Sequence, residues 1–241
     1  MDNLEIYSAT DIGGRSNNED KVLTINLNDL AILAVADGMG GHSAGEVASG
    51  VAMIEIEKYF QMHPHTENLK LAAVESINKA NKEIYQLSQE NFEYTGMGTT
   101  LVMAIIKQTN VIIANVGDSR AYLITGNEIR KITKDHSAVQ ELLERGTITE
   151  EEARQHPFKG TLTRALGMEQ EVKLDLYETM IPGDILMLCS DGLTDSLSDE
   201  EMNEVIRSAS NMDKACSNLI RRAKEKDVRD NISIILARVK Q

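Results

Sequence analysis

Five short apolar runs constrain this chain more than any other feature. They lie at 30–36 (LAILAVA), 99–106 (TTLVMAII), 111–116 (VIIANV), 185–189 (ILMLC) and 232–239 (ISIILARV). Each is brief, apolar and bounded by turn residues, the pattern of a buried strand. Weaker strands are expected near 5–9, 22–26, 121–125 and 172–176, with Thr125-Gly126-Asn127 as a hairpin turn. Helices show a different period. From Ala44, the residues Val47, Val51 and Ile54 recur at helical spacing. Ala73, Ile77, Ala80, Ile84 and Leu87 step by 4, 3, 4 and 3 along one stripe, and Ala215, Leu219 and Ala223 mark a third helix. Strands in runs, with helices grouped at 44–90 and 193–226, predict an α+β protein whose sheets are covered by helices.

The 241 residues are enough for a sizeable core without covalent staples. Only three prolines occur (Pro64, Pro157, Pro182) and no low-complexity linker divides the chain, so one domain over 1–241 is expected. The polar, turn-rich stretch 136–165 reads as a surface insertion within it. Basic residues number 25 and acidic ones 38, a net charge of −13. That balance disfavours nucleic acid as a partner, which requires clustered Lys and Arg. Two cysteines make no disulfide framework and point to a reducing compartment. The acidic start has no apolar signal region, and the run 30–36 is far short of the roughly 18 residues of a membrane span. A cytoplasmic protein with no membrane contact is expected.

Acidic residues recur where the apolar runs stop. The run 30–36 meets Asp37-Gly38, 111–116 meets Gly117-Asp118, and 185–189 meets Ser190-Asp191-Gly192, while Asp230-Asn231 precedes the last run. A strand is rigid, so a carboxylate at its end has a fixed position. A lone Asp-Gly is ordinarily a turn. Four such acids could also converge, and a divalent cation would then relieve their repulsion and burial cost. Oxygen ligands alone suit Mg²⁺ or Mn²⁺, and two ions would make a two-metal hydrolase centre. His63-Pro64-His65 does not have zinc-site spacing and reads as solvated loop. Gly38-Met39-Gly40-Gly41 lacks the lysine of a phosphate loop.

At these residues the sequence resembles the metal-dependent protein serine/threonine phosphatases of type 2C, the PPM family, in their short bacterial form. The resemblance rests on eight motifs in order over essentially the whole chain. Thr10-Asp11-Ile12-Gly13 with Arg15-Ser16-Asn17-Asn18-Glu19-Asp20 comes first. Ala36-Asp37-Gly38-Met39-Gly40-Gly41-His42, Gly96-Met97-Gly98-Thr99-Thr100 and Gly117-Asp118-Ser119-Arg120 follow. Lys134-Asp135-His136-Ser137, Leu162-Thr163-Arg164-Ala165-Leu166-Gly167, Ser190-Asp191-Gly192-Leu193-Thr194-Asp195 and Asp230-Asn231-Ile232-Ser233 complete the series.

The resemblance implies a four-layer αββα sandwich, two antiparallel sheets flanked by helices. It implies that Asp37 bridges two ions (Mn²⁺ or Mg²⁺), that the Gly38 carbonyl ligates one, and that Asp191 and Asp230 complete the other. Glu19 and Asp20 would hold metal-bound waters. Asp118, sharing Asp191, would hold a third ion with Asp195 nearby, and Arg15 would grip the substrate phosphate. A hydroxide bridging the cations would then attack phosphorus without a covalent phosphoenzyme. The segment 136–165 resembles a mobile flap that gates substrate choice. The implied partners are phosphorylated proteins, a eukaryote-like Ser/Thr kinase and its substrates among them; a phosphatase dedicated to one regulatory phosphoprotein is the alternative, and a monomer is expected. Two departures stand out. Met39 occupies a place where eukaryotic members often carry a histidine proposed as general acid, and neighbouring His42 is not assigned that role. The spacing from Asp11 to Arg15 is one residue shorter than the family's.

Three competing chemistries fare worse. Cys216 to Arg222 matches C-x5-R, but the intervening residues lack glycine and lie in a helical pattern, where no backbone cradle can form. Cys189 reads as a buried strand thiol. A two-metal nuclease would need a basic stripe, and a binding module would be expected to have lost Asp37, Asp191 or Asp230.

Overall fold

The computed structural model describes residues 3–27, 29–40 and 44–240. Gly41 and His42 of the second motif lie outside the described residues. Among the described residues eleven strands form two antiparallel sheets. The first contains β1 (Leu4–Asp11), β7 (Arg120–Thr125), β8 (Glu128–Lys131), β10 (Ile185–Cys189) and β11 (Ile232–Val239), in the order β1-β11-β10-β7-β8. The second contains β2 (Asp20–Asn26), β3 (Ala31–Met39), β5 (Leu101–Lys107), β6 (Asn110–Val116) and β9 (Asp175–Met180), in that order, with β4 (Gly98–Thr99) paired to the end of β3. Helices α1 (Ala44–Met62) and α2 (Leu69–Glu90) cover the second sheet. Helices α5 (Asp191–Ser196), α6 (Asp199–Ser208) and α7 (Met212–Lys224) cover the first. The expected αββα sandwich is the observed fold.

The apolar runs are continuous because their strands are buried on both faces. On β3, Ala31, Leu33 and Val35 enter the core between the sheets, while Ile32, Ala34 and Ala36 enter the core under α1 and α2. On β10, Leu186 and Leu188 face the other sheet and Met187 and Cys189 face the helices. The period of two along a strand thus feeds two cores at once. The hairpin of β7 and β8 turns on Gly126-Asn127, with Thr125 opposite Glu128. The stripe from Ala73 to Ile84 is buried as expected, as are Ala215, Leu219 and Ala223. Among the described residues no helix is long and apolar enough to cross a membrane.

Two expectations need correction. Helix α1 buries the Val47, Val51 and Ile54 stripe only in part: Val47 and Val51 are half-buried against the core, Ile54 is 51% exposed, and Ala48, Ala52, Ile56 and Phe60 form the fully buried face. The small alanines let α1 lie close against the sheet and α2. The strand expected at 172–176 begins at Asp175, because Val172 and Leu174 are drawn onto the core under α2. The stretch 136–165 carries α3 (Ala138–Glu144) and α4 (Glu150–Arg154), and buries His136, Ser137, Val139, Ala153 and Ala165.

Candidate active site

Asp37, Asp118, Asp191 and Asp230 sit at the same end of the sandwich. Two clefts open there. One of about 670 Å³ is lined by Arg15, Glu19, Asp37, Gly38, Asp191 and Asp230, among others. The other, about 660 Å³, continues past Asp118 and Asp195 beneath α3 and α4.

The second sheet supplies Asp20 and Asp37, which face each other as partners in the β2–β3 register. Asp37 has a locked backbone. Its N–H donates to Thr100 Oγ1 at 3.0 Å, and its carbonyl accepts from the Thr100 N–H and the Thr99 hydroxyl, each at 2.9 Å. Thr100 is where the run 99–106 breaks into β4 and β5, so the interruption is what frees a hydroxyl for this task. Gly38 has no room for a side chain: an added Cβ would run into the Gly45 carbonyl in the first turn of α1.

The first sheet supplies Asp191, the first residue of α5 after β10, and Asp230, just before β11. Ser190 joins the two sheets. Its hydroxyl donates to Asp20 Oδ2 at 2.8 Å and accepts the Ser233 N–H at 2.9 Å. Asn231 fixes the loop that carries Arg15. Its side chain accepts the Glu19 N–H at 2.8 Å and donates to the carbonyls of Ile12 at 2.8 Å and Asn17 at 2.9 Å. Arg15 stands exposed at the cleft mouth, with Nη2 2.7 Å from Asp230 Oδ2. Asp118 is buried in the turn between β6 and β7. Asp195 is exposed on α5, 3.0 Å from Lys159 Nζ.

Burial and mutual repulsion dominate the electrostatics. Burial first, then Asp191, Asp20 and Asp230, pushes the Asp37 carboxyl well above the carboxylate range. Asp191 is raised in the same way by burial, Asp118, Asp195 and Asp230. Burial carries Asp20 up to about 6, against the hydroxyls of Ser233 and Ser190. Burial and Asp135 carry Asp118 up to about 6, against Arg120. Glu19 is raised, chiefly by burial. Buried Oδ1 atoms of Asp20 and Asp191 have no hydrogen-bond partner. Such atoms are costly unless something positive meets them. Among the described residues no three acid, histidine or cysteine side chains close into a ready-made cage. An all-oxygen donor set with orphaned, mutually repelling carboxylates nevertheless fits hard divalent cations whose shells are completed by water.

The other sequence candidates lie apart from this end. His63 bonds its own helix at Tyr59 O, 2.8 Å away. Cys189 and Cys216 are buried in the core under α5 to α7, and burial pushes both thiols up to about 12. Thr100, Ser190 and Asn231 had no assigned role in the sequence reading. Their signals were a polar residue at the margin of an apolar run and a place in the motif series.

Residues 10–237 match the family of protein phosphatase 2C. The chain belongs to the protein phosphatase 2C family. It is therefore an enzyme, a protein phosphatase. This phosphatase 2C chain is 40% identical over 229 residues to the serine/threonine phosphatase stp of Listeria monocytogenes, covering 92% of this chain and 90% of that protein. Among solved structures, it is similar to serine/threonine phosphatase Stp1 from Staphylococcus aureus, with a TM-score of 0.95, 37% identity and coverage of 99% and 96%. It is also similar to the catalytic domain of the serine threonine protein phosphatase PstP in complex with two manganese ions, with a TM-score of 0.87, 34% identity and coverage of 99% of each chain. The family match spans both sheets, and so takes in every carboxylate at the cleft.

Proposed function

We propose that this phosphatase hydrolyses phosphoserine and phosphothreonine in proteins with two divalent cations, Mn²⁺ or Mg²⁺, gathered from both sheets. The observation that carries the reading is the meeting of Asp37 from one sheet with Asp191 and Asp230 from the other, in one cleft with Arg15 at its mouth. Asp37 and the Gly38 carbonyl would hold one ion, and Asp37, Asp191 and Asp230 the second. Asp118 and Asp195 would serve a weaker third. When bound, such ions polarise phosphoryl oxygens and make bound water acidic enough to act near neutral pH.

The chain's own residues do the rest. Arg15 presents a planar fork of donors to two phosphate oxygens, a geometry lysine lacks. Its contact with Asp230 aims the fork into the cleft. Asp20, pinned through Oδ2 by Ser190, keeps Oδ1 to accept a hydrogen bond from water, and Glu19 beside it does the same. Met39 has no proton to give the leaving alkoxide. A cysteine nucleophile is disfavoured, since thiols near 12 leave almost no thiolate at neutral pH. On this reading residues 1–241 form one cytoplasmic catalytic domain with 136–165 as its flap, acting on a Ser/Thr kinase and its substrates.

The test is phosphate release from a phosphothreonine peptide with Mn²⁺, with Mg²⁺ and with chelator, beside a phosphotyrosine peptide and a phosphodiester. Metal-dependent release from phosphothreonine, lost in Asp37→Ala while unfolding stays cooperative, is expected. Activity that survives chelation, or near-wild-type rates in Asp37→Ala, would overturn the reading.

A further inference from the structure

We infer that His136 is a positioning residue for this reaction, whose imidazole joins the Gly117-Asp118 turn to the root of segment 136–165, so that the Asp118 carboxylate and the segment are set as one unit. The inference rests on the proposed reading in one respect, the service of Asp118 to an outer cation.

His136 is 4% exposed and touches no solvent-borne substrate. Its Nδ1 accepts the Gly117 N–H at 3.1 Å, and its own N–H donates to the Gly117 carbonyl at 2.9 Å. The two peptide units that flank Gly117, one of them leading into Asp118, are therefore held by one residue. Gly117 adopts φ +101°, which only glycine takes readily, so this turn depends on such bonds to hold one conformation. An imidazole that accepts at Nδ1 carries its proton on Nε2. Nε2 lies 3.2 Å from Asp175 Oδ2 on β9. Arg164 Nη1 closes the arrangement, 3.0 Å from Asp175 Oδ1. The Thr163 N–H donates to the His136 carbonyl at 2.9 Å. Both ends of the segment thus meet at His136, Thr163 at its carbonyl and Arg164 Nη1 3.3 Å from its ring Nε2. Burial keeps that imidazole below its ordinary pKa, as an acceptor toward Gly117 requires. The arrangement is a carboxylate fixing an imidazole that fixes a ligand-bearing turn, the logic by which outer groups orient metal ligands.

Two conservative variants separate the arms. His136→Asn keeps an acceptor near Nδ1 but falls short of Asp175. His136→Gln reaches toward Asp175 but gives up the acceptor for Gly117. In His136→Gln, hydrogen exchange at the Gly117 amide is expected to quicken. Calorimetric titration with Mn²⁺ is expected to weaken at the weakest site by roughly 10-fold. In His136→Asn, Mn²⁺ affinity is expected to stay near wild type. The ratio of kcat/KM on a phosphothreonine peptide to that on para-nitrophenyl phosphate should instead shift several-fold, and Asp175→Asn should shift it likewise. Equal losses of melting temperature in all three variants, with unchanged Mn²⁺ titration, Gly117 exchange and substrate ratio, would reduce His136 to packing and overturn the inference. The exchange measurement needs no turnover, so it decides the matter even where metal-dependent activity, and with it the proposed function, fails.

Discussion

Arg15 and Asp230 answer to two demands at once. Their 2.7 Å contact aims the guanidinium, while the same carboxylate belongs to the acidic group that lifts Asp37 and Asp191. Lysine at position 15 could keep the charge and the pairing but not the fork. Arg15→Lys is therefore expected to lower kcat/KM by about 10-fold or more, mainly through KM, since one charge-assisted hydrogen bond is worth about 1.5–3 kcal/mol. An effect on kcat alone in steady-state kinetics would place Arg15 outside phosphate binding. Asp191 makes the opposite point. It is a buried acid repelled by Asp118, Asp195 and Asp230, so ionising it strains the protein that carries it. Asp191→Asn should abolish turnover yet raise the melting temperature of chelated protein at pH 7.5. A lower melting temperature there would mean that the repulsion is already relieved by other contacts.

At the level of strands and loops, the ties matter more than the acids. Asn231 spans the loop of residues 12–19 with three hydrogen bonds from one side chain. Asn231→Ala should cost about 2–4 kcal/mol in denaturant unfolding, because buried partners are left unmet. Activity should fall further than stability, since Glu19 and Arg15 lose their anchor; equal falls would make the loop merely structural. These ties also mark how far the sequence could be read. The apolar runs were legible because both faces of each strand are buried, and the acids were legible because they stop those runs. The hydroxyl of Ser190 was not, since its carboxylate partner lies 170 residues away. The buried face of α1 was missed because it is centred on the alanines at 48 and 52 and not on the larger Ile54, which faces out. The metal roles proposed for the individual acids came from the motif series and not from their spacing, since an Asp at a strand end is equally a turn residue.

Over the whole molecule, the acidic end sets a pH dependence. Asp20 and Asp118 titrate at about 6 in the fold against 3.8 as ordinary carboxylates, so the native state holds protons that the unfolded chain releases. Stability from these groups is full below 3.8 and is lost as pH rises through about 6. Pairs such as Glu5 with Arg238 act in reverse and fail only at lower pH. Chelated protein is expected to melt several degrees higher at pH 5 than at pH 7.5, and Mn²⁺ at pH 7.5 to restore the difference. A flat profile without metal would contradict the electrostatic account.

The order of the first sheet also bears on how the protein is made. Strand β1 pairs along its whole length with β11 and with no other strand of that sheet, and β11 lies between β1 and β10. Among the described residues β1 comes first in chain order and β11 last, so β1 must wait for β11, and Asp230 emerges only just before that strand. Between the synthesis of β1 and that of β11 a growing chain therefore carries an open hydrogen-bonding edge, a period when chaperone cover counts most. On the proposed reading such a chain has no phosphatase activity until β11 closes the sheet beside Asp230, so a product cut short before Asp230 is expected to be inert and not a weakened enzyme.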